Sequence, residues 1–201
     1  MSLRIPVAGA ESRSNHAPGR LPGEPGLWIF IAGDVIVFSL FFVIFLHYRG
    51  LAVDVFTRSQ AQLNQTLGVV NTFVMLTSSW FVATAVHAAR HRMGRVVPIC
   101  LSAAIACAVA FAAIKVLEYG EKIEAGVTLA SNDFFMYYYL FTGIHLVHVL
   151  IGMVVLAILT RLSWSGELDS RYIRNLESGA SFWHLVDLLW IVLFALIYLV
   201  K

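Results

Sequence analysis

Five long apolar segments, separated by short polar stretches, dominate the pattern of this 201-residue chain. Each is close to the about twenty residues that a helix needs to cross a hydrocarbon core of about 30 Å. Numbered as spans 1 to 5, the segments cover residues 27–46, 67–87, 96–117, 134–159 and 180–200. Hydrophobic residues make up 59% of the chain and charged residues only 13%, which is outside the range of soluble domains. The sequence therefore predicts an all-α membrane protein with five transmembrane helices.

The first 24 residues differ from the rest of the chain because they contain no apolar core. They are rich in Arg, Ser, Pro and Gly, which is typical of neither a signal peptide nor a span. We expect residues 1–24 to form a flexible cytoplasmic tail. Residues 25–201 are expected to form one five-span transmembrane domain, since the short loops leave no room for a second, soluble domain.

Basic residues are unevenly divided between the two ends of the predicted helices. Nine arginines lie in the tail and in the loops after spans 2 and 4, whereas four basic residues lie on the opposite side. Because positively charged loops stay in the cytoplasm, this pattern predicts a cytoplasmic N-terminus and a periplasmic C-terminus. Three of these arginines, Arg90, Arg92 and Arg95, form a corner that could bind lipid phosphates, and a purely topogenic role is the alternative.

Ionisable side chains inside the spans are few, and each is costly to insert into lipid. The main ones are Asp34, Lys115, Glu118, His145, His148, His184 and Asp187. At about 1.5 Å per residue, Asp34 and Asp187 lie roughly 10 Å from the cytoplasmic end of their spans, and His148 roughly 16 Å. We therefore expect these three side chains to lie within reach of one another.

Two polar stripes are expected to face each other between spans 4 and 5. His145, His148 and Gly152 share one face of span 4, where Gly143 and Gly152 are expected to let a neighbouring helix come close. One sector of span 5 holds Glu177, His184, Asp187 and Trp190. We expect the two spans to meet through these stripes.

Three roles remain open for these polar groups. They can join helices through hydrogen bonds. Alternatively, His148 and His184 could supply an axial pair to haem in a small b-type cytochrome, or Asp34 and Asp187 could titrate in a proton-coupled transporter. No zinc or di-copper ligand set accompanies the histidines, so we predict neither a metal site nor a catalytic residue.

Five motifs resemble, in order, the helices of subunit III of the haem–copper oxidase superfamily. They are "GLWIFIAGDVIVFSLFF", "NTFVMLTSS", "EYGEKIEAG", "TGIHLVHVLIG" and "FWHLVDLLW". The resemblance covers nearly the whole chain after residue 23. Among five-span members, the chain resembles bacterial quinol-oxidase subunit III and, more closely, the NorE-type proteins associated with nitric oxide reductase.

The resemblance implies a two-helix plus three-helix V, in which spans 1 and 2 face spans 3 to 5 across a cleft that holds a structural phospholipid. It implies a non-catalytic, lipid-binding accessory subunit in the bacterial inner membrane. That subunit would support assembly, stability and proton or gas-substrate access of a nitric oxide reductase or terminal oxidase. Haem and any copper or non-haem iron would belong to the catalytic partner subunit alone.

The resemblance also implies roles for individual residues. Asp34 is the intramembrane carboxylate near the lipid cleft, at a position where mitochondrial members have Glu. Glu118 is a carboxylate at the outer end of span 3. The polar ties within the three-helix half are His145, His148, His184 and Asp187.

Overall fold

The computed structural model describes residues 25–165 and 168–200, and the regular structure in these ranges is entirely helical. The long helices are α1 (Pro25–Leu51), α3 (Gln65–Arg90), α4 (Val96–Glu124), α5 (Asp133–Trp164) and α6 (Ser170–Phe194), and the short helix α2 (Val53–Gln60) follows α1. All five long helices have the length and apolar composition to cross a membrane. The predicted all-α, five-span fold is therefore confirmed. The predicted tail, residues 1–24, lies outside the described residues, and the orientation of the termini stays a prediction.

Polar caps determine where three of the long helices begin. Asn64, Asn132 and Asp169 each accept a hydrogen bond from the backbone N–H three residues on, at 3.2, 3.0 and 2.6 Å. Such caps satisfy backbone donors that have no partner inside the helix. Because Asp169 caps α6, this helix begins at Ser170, well before the predicted start of span 5 at residue 180. The first turns of α6 are too polar for an apolar pattern to reveal them.

Helix α2 is a short amphipathic helix that the hydropathy pattern does not single out, because eight residues are far too few for a span. Its Phe56 is fully buried, with ring centroids 5.5 Å from Phe45 of α1 and 5.7 Å from Phe134 of α5. The Gln60 side chain donates a hydrogen bond of 3.1 Å to the carbonyl of Ile197. Helix α2 therefore fastens α1 to the rest of the bundle.

The long helices pack as a four-helix unit with α1 at its side. Helix α3 packs on α4 and α6, α5 packs on the same two helices, and α1 lies against α5 and α6. The predicted division into spans 1 and 2 against spans 3 to 5 does not describe this packing. The reason is that Gly68 and Ser78 bring α3 close to α6 and α4: ring atoms of Phe194 and Tyr198 fill the space beside Gly68, and Ser78 Oγ donates a 2.9 Å bond to the Ala104 carbonyl.

The two glycines of α5 differ in their surroundings. A Cβ at Gly152 would lie 2.6 Å from the Trp183 ring, so the expected close approach of a neighbouring helix is confirmed there. A Cβ at Gly143 would meet nothing within 4 Å, and the expectation for this residue is wrong. The two positions are nine residues apart, which places them on opposite sides of an α-helix of about 3.6 residues per turn.

At its end, α6 widens into a π-turn, Ala195–Leu199. The carbonyls of Ile197 and Tyr198 accept hydrogen bonds from the side chains of Gln60 and Gln65, at 3.1 and 2.9 Å. Local π geometry of this kind often marks a functional position. Here Tyr198 is fully buried and its hydroxyl reaches the carboxylate of Glu118.

Candidate functional site

Asp34 and His148 form a polar contact between α1 and α5. His148 Nε2 lies 3.4 Å from Asp34 Oδ2, and both side chains are more than four-fifths buried. This distance exceeds the usual 2.7–2.9 Å of a charge-assisted hydrogen bond, so the contact is electrostatic in this geometry. The imidazole also packs against Phe38 of α1 and Phe182 of α6, with centroid distances of 5.7 and 6.4 Å. Three helices therefore meet at His148.

The hydrogen bond at the other ring nitrogen restricts the chemistry of this pair. His148 Nδ1 lies 2.9 Å from the Ile144 carbonyl, which only accepts, so Nδ1 carries a hydrogen. Nε2 is therefore the nitrogen that faces the Asp34 carboxyl group, 3.4 Å from Oδ2.

A second polar group lies where α3 meets α6. Ser79 Oγ and His184 Nδ1 are hydrogen-bonded at 2.6 Å. One turn further along α6, Asp187 is 6% exposed and interacts with the same hydroxyl. The structure thus brings Asp34 to His148, as expected, but places Asp187 against α3 and not with them.

An ion pair of Glu177 with Arg90 also joins α6 to α3. Arg90 donates to Glu177 Oε1 from Nε at 3.0 Å and from Nη2 at 2.8 Å. Glu177 therefore pairs with α3, so the expected meeting of α5 with the polar members of the span 5 sector is wrong. The expected meeting with its fourth member, Trp190, is confirmed by the contact with His145. Helices α5 and α6 do meet, but through aromatic rings, because Trp183 packs on Gly152 and Trp190 packs on His145.

Among the described residues, the most deeply buried ions belong to α4. Lys115 Nζ donates to Glu118 Oε2 at 2.8 Å, and both residues are 1% exposed. The ammonium also donates to Tyr198 Oη at 2.9 Å, and that hydroxyl donates to Glu118 Oε1 at 2.6 Å. The sequence places Lys115 and Glu118 on one face of span 3. It does not indicate that Tyr198 joins them, because Tyr198 lies 80 residues after Glu118.

Aromatic rings surround this ion pair on the remaining sides. Lys115 Nζ lies 5.1 to 5.8 Å from four ring centroids, those of Tyr119, Tyr138, Trp190 and Tyr198. Rings at this distance attract a cation through their negative faces. Their contribution offsets part of the cost of removing the ammonium from water.

His145 differs from the other buried polar residues. Its ring is fully buried between Trp190 and Phe111, with centroid distances of 5.3 and 5.6 Å. Neither ring nitrogen has a hydrogen-bond partner among the described residues. His145 therefore contacts α4 and α6 through its ring, and not as the polar tie that the resemblance implies.

His148 and His184 do not form the facing pair that axial ligation of haem requires. His148 packs on Phe182, whereas His184 follows Phe182 by two residues and so lies about 200° further around α6. Among residues 25–165 and 168–200, no three His, Cys, Asp or Glu side chains are placed to hold a metal ion together.

Two of the hollows on the sides of the bundle have volumes above 500 Å³. One, of about 510 Å³, lies between α1, α5 and α6, and its lining includes Leu27, Phe30, Ile151, Val155, Asn175 and Phe182. The other, of about 530 Å³, lies between α4 and α5 and is lined in part by Arg95, Ile99 and Trp164. Arg92 is exposed and has a positive φ of 57°.

Comparison with known proteins gives consistent results. A family model described as cytochrome c oxidase subunit III matches residues 16–201. The quinol oxidase subunit 3 of Bacillus spizizenii is 27% identical over 198 residues, which cover 94% of this chain and 96% of that protein. The cytochrome c oxidase subunit 3 of Prototheca wickerhamii is 31% identical over 181 residues, which cover 86% of this chain and 67% of that protein.

A third similar protein has a longer chain. The heme-copper oxidase subunit I+III of Aeropyrum pernix is 24% identical over 180 residues, which cover 87% of this chain but only 22% of that protein. With the family model matching nearly the whole sequence and five spans of the expected kind in the structure, the chain belongs to the cytochrome c oxidase subunit III family.

Proposed function

We propose that this chain is a non-catalytic, lipid-binding accessory subunit of a respiratory haem–copper enzyme in the bacterial inner membrane. A NorE-type association with nitric oxide reductase is our first assignment, and a terminal oxidase is the second. One observation carries the proposal: several ionisable groups of the spans join helix to helix. Asp34 and His148 connect α1 to α5, Arg90 and Glu177 connect α3 to α6, and Glu118 and Tyr198 connect α4 to the end of α6.

The relatives support a catalytic partner for this chain. One of them is named as subunits I and III together, so a single chain can carry both in that organism. In our proposal the partner holds the haem and any copper or non-haem iron, and this chain binds none of them. Its contribution is to the assembly and durability of the complex.

The lipid assignment draws on the two side hollows. The hollow between α1, α5 and α6 has apolar walls and a polar end at Asn175, which suits an acyl chain. The hollow at Arg95 places a guanidinium and the Trp164 indole near a helix end, where cations attract lipid phosphates and indoles favour the headgroup region. Arg92 lies on the same short loop. We propose that phospholipid occupies both hollows and stabilises the bundle.

We propose that the pair of Asp34 and His148 is the part of this chain that supports proton access to the partner enzyme. It places an imidazole 3.4 Å from a carboxyl group within the membrane-spanning region. A pair of this kind can pass a proton to a neighbouring group when a partner subunit or water lies beside it. We assign it no catalytic step.

The test is purification of the tagged chain from its native membrane in mild detergent. We expect a haem-containing polypeptide and bound phospholipid to co-purify, and we expect the recovered complex to reduce nitric oxide. Reduction of oxygen instead would favour the terminal oxidase. A stoichiometric Soret band in the isolated chain, or recovery without any haem polypeptide, would contradict the proposal.

A further inference from the structure

One ionisable side chain is exposed near the middle of a membrane-spanning helix. His184 lies at the centre of the span Ser170–Leu199, about fourteen residues, or roughly 21 Å, from its first residue. Between 182 and 190, every position of α6 is buried except His184 and Leu188. These two are four residues apart and so share one side of the helix.

His184 lies in a groove between α3 and α6 whose lining combines polar side chains with small apolar ones. A hollow of about 240 Å³ is lined by Ala83, Val86, Arg90, Glu177, Ala180, Ser181 and His184. The ion pair of Arg90 and Glu177 lies at one end, and the hydrogen bond between Ser79 and His184 lies at the other. We call Arg90, Glu177, Ser181, His184 and Leu188 the His184 face.

Large apolar side chains dominate the outward positions of α1 and α5 instead. Exposed positions of α1 include Ile36, Leu40 and Val43, and those of α5 include Val147, Leu150 and Val154. Acyl chains solvate such side chains well, but they offer no hydrogen bond to imidazole. A polar group at this depth normally faces protein or a water-filled cavity. The contrast indicates that the His184 face is covered by another protein.

The chemistry of the covering group follows from the ring of His184. Ser79 occupies Nδ1, so Nε2 is the nitrogen available to a group outside the chain. The charges of Arg90 and Glu177 already balance each other, so the face requires no net charge from its partner. A transmembrane helix that places a hydroxyl, an amide or a carbonyl opposite His184, with apolar residues around it, would fit.

We infer that the His184 face is the docking surface for the catalytic haem–copper subunit, and that a polar group on a helix of that subunit hydrogen-bonds to His184 Nε2. The inference rests on the proposed function, which supplies the partner. A second copy of this chain is the competing occupant, and the experiment separates the two.

Photocrosslinking in native membranes tests which surface meets the partner. A benzophenone amino acid replaces Leu188 on the His184 face, and the matched control replaces Val147 on α5, since the two are 56% and 53% exposed. We expect a crosslink to the haem-containing polypeptide from position 188 only. A crosslink of position 188 to a second copy of this chain, no protein crosslink, or equal crosslinking from both positions overturns the inference.

Two substitutions test the role of the histidine itself. His184→Leu keeps the side chain similar in size but removes the hydrogen bond, and we expect about three- to tenfold weaker retention of the partner, the usual value of one such bond in a membrane. Thr77→Leu is the control, because Thr77 is exposed at similar depth, bonds to its own helix at Phe73 and lies about 200° around α3 from Ser79.

A steric variant keeps the test informative if His184→Leu alters folding. Leu188→Trp adds bulk beside His184 without removing a polar group, and Val147→Trp adds the same bulk on α5. Loss of the partner in Leu188→Trp alone supports the inference, and retention in both overturns it. If the haem polypeptide co-purifies with the wild-type protein and equally with His184→Leu and Leu188→Trp, the inference about the His184 face is wrong but the proposed function stands. If wild-type protein brings down none, the proposed function itself fails.

Discussion

Lys115 and Glu118 form an ion pair of 2.8 Å in which neither side chain is more than 2% exposed. Tyr198 completes a triangle with them, donating to the carboxylate at 2.6 Å and accepting from the ammonium at 2.9 Å. A charge buried to this extent is costly without its partner. Removal of one of the two charges is therefore expected to destabilise the fold more than removal of both.

This dependence predicts strong non-additivity between two substitutions. Lys115→Met leaves Glu118 buried without its cation, and we expect the free energy of unfolding to fall by about 3–5 kcal/mol. The double variant Lys115→Met, Glu118→Leu removes both charges and is expected to lose less than the single variant. Unfolding in mixed detergent micelles, followed by circular dichroism, measures each value. A loss in the double variant equal to the sum of the losses in Lys115→Met and in Glu118→Leu would show that the pair is not coupled.

The glycines of α5 allow a comparison on a single helix. Gly152→Ala places a methyl group 2.6 Å from the Trp183 ring, and we expect a loss of about 1–3 kcal/mol from overpacking. Gly143→Ala meets no atom within 4 Å and is expected to be neutral or slightly stabilising. Thermal unfolding of the two variants in the same detergent checks the difference. Similar effects at both positions would contradict the close contact at Gly152.

Ser78 and Thr77 are neighbours with different hydrogen bonds. Ser78 Oγ donates to the Ala104 carbonyl and so joins α3 to α4, whereas Thr77 Oγ1 donates to Phe73 of its own helix. We expect Ser78→Ala to destabilise the bundle by about 0.5–1.5 kcal/mol and Thr77→Val to have little effect. The midpoints of detergent-induced unfolding give the comparison. A larger loss in Thr77→Val would argue against the interhelical bond.

Asp34→Ala tests the contact between α1 and α5. We expect the chain to remain inserted but the contact with His148 to be lost, at a cost of about 1–2 kcal/mol because the pair is partly exposed and 3.4 Å apart. Fewer bound phospholipids and a lower yield of the complex should follow, since Phe182 packs on His148 and lines the adjacent hollow. Lipid mass spectrometry and co-purification measure both. Ser39→Ala, on the exposed side of α1, serves as the control, and unchanged lipid content in Asp34→Ala would reject the idea.

The five spans were predictable because hydropathy over twenty residues is a strong, local signal. The start of α6 was not predictable from hydropathy, because polar interactions stabilise its first turns. These are the Asp169 cap and the ion pair of Glu177 with Arg90. Helix α2 could not be predicted from hydropathy for a different reason. It is too short to register, and it is held mainly by burial of Phe56.

Within the candidate site, residue types were predictable but partners were only partly so. Asp34 and His148 meet because their depths along two helices agree, which can be counted from the sequence. His184 and Asp187 turn toward Ser79 because of the rotation of α6 about its axis, which counting does not determine. The grouping of the helices was likewise set by small residues such as Gly68, whose role depends on the rings packed against them.

The spacing within the buried triangle has a consequence for biogenesis. Glu118 precedes Tyr198 by 80 residues, so the nascent α4 reaches the translocon well before the tyrosine has been synthesised. Lys115 lies only one turn away on the same helix and can neutralise the carboxylate at once. An ion pair formed within one turn gives residues 96–118 no net charge as they enter lipid. Tyr198 adds its hydrogen bonds later, when the last helix arrives.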